Sequence, residues 1–448
     1  MSKNRLTWIV VLIAWIVSLD AAQARKWTLS DCINYALQNN ITLQKKRLTR
    51  QSAHEDILQS KAALLPSLDA STSQNVVWRP FPESGSATVT NGYVQSSIDK
   101  VYYNGSYGIN MNWTIWNGKR NRNQILLNEL TEQQAELDSA ITANSIQEQI
   151  AQLYIQILYS AEAIKVNEQS LATSKKNEER GKTMVEVGKM SRADLAQLTA
   201  QRAQDEYNIV AGESNLRNYK RQLKQLLEIT DDEEFDIVTP DMTEKDALAE
   251  IPALQTVYQK ALEIRPEIQS QKLAIQSNDI SIAMAKAQGL PTIGVNSGIG
   301  TNTTTMSDTG WGNQLKSNLN MSAGVTVSIP LLDNRQKTTA INKARIAKEN
   351  SQLELKSQQT QLYSTIENYW IQAVTNQSKF RSALINTKSQ QTSYDMLSEQ
   401  FRLGLKNIVE LMTGKTNLLT AQQSELESKY LTLLNIQMLK FYEGGTIK

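Results

Sequence analysis

The sequence predicts a mixed α/β membrane protein. Four strands per chain, pooled from three copies, would close a trimeric 12-stranded transmembrane β-barrel continuous with a long α-helical coiled-coil barrel. Three observations carry this expectation. The chain is internally duplicated, its hydrophobic period changes from helical to strand-like and back in each half, and its helical stretches are too long and too thinly apolar for an ordinary core.

The duplication organises the rest. A shift of 225 residues sets Leu29 on Leu254, Ala36 on Ala261, Gln44 on Gln269, Leu48 on Leu273, Lys61 on Lys286 and Pro66 on Pro291. A shift of 216 pairs Gly108 with Gly324, Ile155 with Ile371, Gln156 with Gln372 and Gly188 with Gly404. The offset changes between the strand-like segments, where a loop changes length at little cost. This divides the chain into a targeting segment at 1–24, a first repeat at 25–230, a linker at 231–252 and a second repeat at 253–448. Each repeat reads as helix, two strands, long helix, turn and returning helix.

In chain order, Lys3 and Arg5 precede an apolar run from Leu6 to Val17, and Ala22-Gln23-Ala24 supplies a small-x-small cleavage pattern. This is a signal peptide, with cleavage expected after Ala24. The run is shorter than the roughly 20 residues that cross a bilayer as a helix. Cys32 lacks the small residue before it that lipid attachment requires, so the chain is expected not to be lipidated and the thiol to be inert. Residues 29–64 then show apolar positions at helical spacing, and Pro66 disfavours helix for the residue before it. The second copy ends likewise before Pro291, with Pro266 placed to kink it.

The period then falls to two. Tyr107, Ile109, Met111, Trp113 and Ile115 alternate with Gly108, Asn110, Asn112 and Thr114. In the second copy Leu319, Met321, Ala323, Val325, Val327 and Ile329 alternate with Asn320, Ser322, Gly324, Thr326 and Ser328. Such runs have one apolar and one polar face, at about the 9–11 residues a tilted membrane strand needs. Partner strands are expected at about 67–78 and 291–302. Trp78, Trp113, Trp116 and Trp311 fall near strand ends, where interfacial aromatics belong. The loops at about 79–106 and 303–318 are expected to face outside.

The long helices follow, from Lys119 to Val187 and from Arg335 to Leu403, with no Pro and only Gly181 as a breaker. Ile146, Ile150, Leu153 and Ile157, like Leu362, Ile366 and Trp370, recur in steps of three and four, the mark of a coiled-coil seam. After Gly188 and Gly404 a helix returns, at about 191–228 and 407–442. The pre-strand and returning helices together match the long one, so two short helices stacked end to end could run beside it. The acidic linker, with Pro240, reads as a belt at mid-height.

Composition agrees. The 448 residues hold 47 Lys+Arg against 45 Asp+Glu, giving +2, which offers no footprint for nucleic acid. One Cys and one His exclude disulfide frameworks and His- or Cys-rich metal sites. No phosphate loop or nucleophile elbow is present, so no enzyme, cofactor or metal is expected. A hydrophobic fraction of 40% and a mean hydropathy of −0.42 suit walls wetted on both sides and apolar only along their seams. Four strands cannot close a barrel, and open edges are not tolerated in lipid. Three copies would supply twelve.

Here the chain resembles the TolC-type outer membrane efflux proteins over essentially its whole mature length. The resemblance rests on Ala36-Leu37-Gln38-Asn39-Asn40 and Ala261 to Glu267, on Leu65-Pro66-Ser67-Leu68 and Leu290-Pro291-Thr292-Ile293 at the helix-to-strand passages, and on Val187-Gly188 with Asp194 and Phe401-Arg402-Leu403-Gly404 with Glu410-Leu411. It implies a homotrimer in the outer membrane of a Gram-negative cell with a periplasmic helical tunnel. That tunnel would meet a periplasmic adaptor (membrane fusion) protein and an inner membrane pump of RND or ABC type, as the exit duct of an efflux or type I secretion system. The turns at Val187, Gly188, Leu403 and Gly404 would be the tips that dock the adaptor. Glu410 would form a ring in the lumen, with Asp194 its first-repeat counterpart. Thr413 stands where many members carry a second acid. Lys406 and Phe401 match positions that hold the tips closed, although Phe401 lacks a tyrosine's hydroxyl. The competing class is a soluble periplasmic coiled-coil adaptor or scaffold, with the same leader and helices but no lipid-compatible strands.

Overall fold

The computed structural model describes residues 26–81, 88–90, 93–95, 100–230, 235–240 and 243–447, with backbone alone at 88–90 and 93–95. The signal peptide lies outside the described residues. So do 231–234 and 241–242 of the linker.

The first helix, α1 (Leu29–Asn39), starts at a reciprocal cap: the Thr28 hydroxyl accepts the Asp31 N–H at 3.1 Å, and the Asp31 carboxylate accepts the Thr28 N–H at 3.1 Å. The expected single helix over 29–64 is in fact two. Asn40 adopts extended backbone, and α2 (Ile41–Ala62) begins beyond it. The Asn40 side chain makes the break: its carbonyl accepts the N–H groups of Thr42 (3.0 Å) and Leu43 (3.2 Å), and its amide donates to the Leu226 carbonyl (3.1 Å). The same break divides α6 (Leu254–Ile264) from α7 (Pro266–Ala287), where Arg265 is extended ahead of the proline. Arg265 is buried over the ring of Tyr442 at 4.3 Å, and it donates to Glu267 (2.8 Å) and Glu148 (3.4 Å). One bend is thus made twice by different chemistry, a capping amide and a proline.

The long helices, α3 (Arg120–Glu186) and α9 (Gln336–Arg402), have 67 residues each. The returning ones, α4 (Arg192–Leu226) and α10 (Ile408–Tyr442), have 35 each. Short pieces complete the linker region: a parallel two-residue pair β1 (Lys26–Trp27) with β6 (Asp236–Ile237), and the turn of helix α5 (Glu244–Ala247).

The chain forms two compact units. One takes in the described residues up to Arg47 together with Leu137–Gln269 and the chain from Lys356 onward; the other comprises Leu48–Glu136 and Ser270–Leu355. In the first unit, seam residues of α3, α4, α9 and α10 form the core, with Ile150, Tyr154, Leu158, Leu223, Ile366, Phe380 and Met438 fully buried. Each such side chain contributes about 1.5–3 kcal/mol by leaving water. The linker packs on this core. The Tyr154 hydroxyl donates to the Val238 carbonyl at 2.6 Å, and Gln377 donates to the carbonyls of Ala247 (3.1 Å) and Ala249 (2.8 Å). Cys32 is buried, and burial together with Asp31 pushes its thiol up to about 12, so it is not a nucleophile.

The second unit holds the sheet. Strands β2 (Ser67–Trp78), β5 (Val101–Trp116), β7 (Thr292–Thr304) and β8 (Asn320–Ser328) pair antiparallel in the order β2-β5-β7-β8. A separate hairpin, β3 (Thr88–Thr90) with β4 (Tyr93–Gln95), lies between β2 and β5. β5 begins six residues before the expected Tyr107, so the first loop is shorter than the sequence suggested. The second loop is not irregular throughout: it contains α8 (Trp311–Ser317). There the Gln314 side chain accepts the Thr304 N–H (2.7 Å) and donates to the Thr304 carbonyl (3.0 Å), and Trp311 meets Tyr107 edge to face at 6.3 Å. A bulge between Thr114 and Trp116 absorbs one residue at the end of β5.

Register turns the alternation of single strands into a property of the whole sheet. Leu68 lies opposite Met111, Ile109 opposite Ile299, Trp113 opposite Val295, and Val295 opposite Val325. Asp69 lies opposite Asn110, which faces Gly298, while Asn296 faces Gly324. One face is therefore mainly apolar across all four strands, with Ser297 within it and Gln74, Gly105 and Thr303 at its far end, and the other is polar. The apolar face is open, with Leu68 74%, Met321 72% and Val325 68% exposed. On the described residues β2 and β8 each have one unpaired edge.

Candidate functional site

The two reversals between helices are built alike. At the end of α3 the Gly188 N–H donates to the Val185 carbonyl (3.0 Å) and the Lys189 N–H to Met184 (2.8 Å); at the end of α9 Gly404 donates to Phe401 (3.0 Å) and Leu405 to Gln400 (2.9 Å). This paired pattern needs a left-handed residue, and Gly188 and Gly404 have φ of 72° and 75°. A Cβ on either would touch nothing within 4 Å, so backbone conformation and not space requires glycine there. Val187 and Leu403 beside them are exposed.

Each returning helix then starts on a cap. The Ser191 hydroxyl accepts the Asp194 N–H at 3.1 Å and donates to the Asp194 carboxylate at 2.8 Å. The Asn407 side chain accepts the Glu410 N–H (3.0 Å), and the Glu410 carboxylate accepts the Asn407 N–H (3.3 Å) and pairs with Lys406 at 2.5 Å. Hydrogen bonding from Lys406 and Asn407 holds the Glu410 carboxyl below its ordinary 4.5. Asp194 and Glu410 are thus both third-position capping acids. The patterns Ser191-x-x-Asp194 and Asn407-x-x-Glu410 were available in the sequence as capping boxes, a signal the sequence reading did not use. Both acids are half-buried, with the Glu410 side chain 39% exposed.

The two reversals share one apolar cluster. Leu198 of α4, Tyr394 and Phe401 of α9, and Ile408, Leu411 and Leu418 of α10 are buried together, with Met184, Met190 and Met412 against them. Phe401 is 3% exposed, so its ring packs inside this cluster. Thr413 is exposed, and its hydroxyl donates back to the Val409 carbonyl at 2.8 Å. Lys406 and Glu410 are brought together; Asp194 stands on its own cap. In the other unit, Pro66 separates α2 from β2 and Pro291 precedes β7, and Trp113 donates its indole N–H to the Leu64 carbonyl at 2.9 Å beside the first passage.

One group the sequence reading missed lies nearby. Lys415 of α10 reaches Asp205 of α4 and Ser174 of α3, all three buried; Ser174 also donates to Asp205 at 2.6 Å and Gln201 to Asp205 at 3.0 Å. Burial pushes the Lys415 ammonium below its ordinary value, against the pull of Asp205. No spacing rule links residues 174, 205 and 415, so only packing reveals them.

A profile of the outer membrane efflux proteins matches residues 32–228 and again 257–445. The chain belongs to the outer membrane efflux protein family. Among its relatives is the outer membrane efflux protein BepC of Brucella suis biovar 1 (strain 1330), 19% identical over 415 residues, which are 92% of this chain and 84% of BepC. The fold is that of solved outer membrane channels. VceC from Vibrio cholerae superposes with a TM-score of 0.75 at 16% identity, covering 94% of this chain and 97% of its own. CmeC from Campylobacter jejuni gives 0.76 at 16% identity, covering 94% and 86%. The MtrE channel of Neisseria gonorrhoeae, solved in its open state, gives 0.74 at 15% identity, covering 94% and 89%. This efflux protein is therefore a transport channel of the outer membrane and not an enzyme. No helix among its described residues is long and apolar enough to cross a membrane, a statement that leaves strands untouched.

Proposed function

We propose that three copies of this efflux protein form one exit duct, passing substrates delivered by a periplasmic adaptor and an inner membrane pump of RND or ABC type to the outside of the cell. The single observation that carries this is the sheet: four strands with one mainly apolar, exposed face and an unpaired edge at each side. Open edges are costly in lipid, and joining β8 of one copy to β2 of the next removes them. Three copies make a closed 12-stranded barrel, within the even-numbered range of such barrels. A soluble periplasmic scaffold would have to bury this face, whereas α8 covers only its far end, where Trp311 meets Tyr107, and Leu68, Met321 and Val325 stay open.

The internal duplication is supported by the helix lengths, 11, 22, 67 and 35 residues in each half, and by two family matches that begin 225 residues apart. On this reading 1–24 is a cleaved leader, 25–230 and 253–448 are the two repeats, and 231–252 is an equatorial linker. The reversals at Val187-Gly188 and Leu403-Gly404 are the periplasmic tips that dock the adaptor. Glu410, paired with Lys406, faces the constriction, with Asp194 and Thr413 near it and Phe401 holding the hairpin from inside.

Separating the membranes of expressing cells and measuring the native mass of the detergent-solubilised mature chain tests the whole. The expected result is an outer membrane particle of three copies. A detergent-free periplasmic monomer or dimer would overturn it.

A further inference from the structure

We propose that the two strand-to-helix junctions form a basic collar that binds anionic phospholipid headgroups. The inference rests on the reading above that the sheet spans the membrane. It goes beyond that reading in assigning a lipid partner to these residues.

The junctions are matched in backbone as well as in charge. Between β5 and α3, Gly118 and Lys119 take successive left-handed conformations, with φ of 68° and 69°; between β8 and α9, Asn334 and Arg335 do the same, with φ of 48° and 66°. A β-carbon makes this conformation unfavourable. Yet a long cationic side chain occupies the second position at both junctions. Arg120 and Arg122 follow the first, and Lys343 and Arg345 follow the second.

These six cations are exposed. No acidic residue occurs from Asn117 to Asn128 or from Asn334 to Lys348, in a chain whose overall charge is only +2. Asp333, the nearest acid to the second junction, already accepts the backbone N–H groups of Arg335 (3.1 Å) and Lys337 (2.9 Å). Three other cations of the same unit do find carboxylates: Arg50 pairs with Glu132 and Glu136, Lys61 with Glu129, and Lys348 with Asp279. Among the described residues, none of the six collar cations makes an ion pair.

What precedes them fixes the class of partner. Ile115 and Trp116 stand before the first junction, and Leu331 and Leu332, 88% and 95% exposed, before the second. Within a few residues each junction passes from side chains suited to acyl chains to side chains suited to phosphate. That order matches the order of groups met on leaving a bilayer, from hydrocarbon to headgroup. The strands end at Trp116 and Ser328 and the helices begin at Arg120 and Gln336, so the cations flank the point where the barrel leaves the lipid. The occupant is a glycerophospholipid with an anionic headgroup, from the leaflet on the helical side.

The full mature chain, purified in detergent, would be titrated with phosphatidylglycerol, phosphatidylcholine or lipid A, and the retained lipid counted by native mass spectrometry. Phosphatidylglycerol should be retained about tenfold better than phosphatidylcholine at low salt. The combined variant Arg120→Gln, Arg122→Gln, Lys343→Gln, Arg345→Gln should lose that preference. The charge-conserving set Arg120→Lys, Arg122→Lys, Lys343→Arg, Arg345→Lys should keep it, which separates lost charge from lost fold. Equal retention of the two phospholipids by the native chain, an undiminished preference in the Gln set, or a preference for lipid A would each overturn the collar. A chain that needs no detergent would instead sink the membrane reading beneath it.

Discussion

Lys415 and Asp205 form a buried ion pair between α10 and α4, with side chains 7% and 1% exposed. Ser174 of α3 completes the contact, so three helices meet on one ammonium group. Removing one partner strands the other charge away from water, which costs about 3–5 kcal/mol. Lys415→Ala should lower stability by that amount in denaturant unfolding followed by helical circular dichroism. Lys415→Met combined with Asp205→Leu should recover most of the loss, because no charge is left unpaired. A Lys415→Ala variant as stable as the parent would show the pair to be solvated.

The Asn40 side chain satisfies two N–H groups at the start of α2 and one carbonyl at the end of α4. Asn40→Ala should cost about 1–2 kcal/mol, the usual loss for a helix cap. Its counterpart Arg265 makes its bend beside Pro266, so Pro266→Ala should cost less at that break than Asn40→Ala does at its own. Hydrogen exchange at Thr42 and Leu43 would report the loss locally.

Gly404 holds φ of 75° in open space. Gly404→Ala should destabilise the reversal by about 1 kcal/mol without a clash. Gly404→Pro should disrupt the tip and adaptor docking while leaving the barrel assembled. Trimer yield and adaptor cross-linking measured together check this; failure to trimerise would show that the turn is not at the tip.

Glu410 has its carboxyl held low by Lys406, so it contributes stability above pH 4.5 and loses that contribution as pH falls through its lower folded value. Because Lys406 compensates each carboxylate, a ring of such pairs carries little net charge. In planar bilayers Glu410→Gln should lower cation selectivity, and Lys406→Met should raise it. The native selectivity should stay constant from pH 7 to 4.5 and fall only below that. Selectivity indifferent to both substitutions would remove the pair from the constriction.

The helical and strand periods were legible because each is a local matter: seam spacing over α3 and α9, and alternation in β5 and β8, arise from which face meets water or apolar neighbours. The helix ends agree with expectation to within a residue or two, since Gly188, Gly404 and the prolines act through their own backbone angles. The break at Asn40 was written in the sequence as a capping residue yet hidden, because a continuous apolar pattern runs through it. The helix α8 was hidden for a related reason: its hold comes from Gln314 reaching Thr304, a contact within a loop that period does not describe.

By itself, then, the sequence determined the kinds of element and their order, since these follow from periodicity and from residues that forbid or permit particular backbone angles. Tertiary structure alone decided which residues act together. It set the register that joins four strands into one mainly apolar face. It also placed Phe401 in the core that joins the two reversals and closed Lys415 on Asp205. The physical reason is distance along the chain: packing brings together groups as far apart as Ser174 and Lys415, 241 residues, or Asn167 and Gln423, 256 residues, and no local rule connects them.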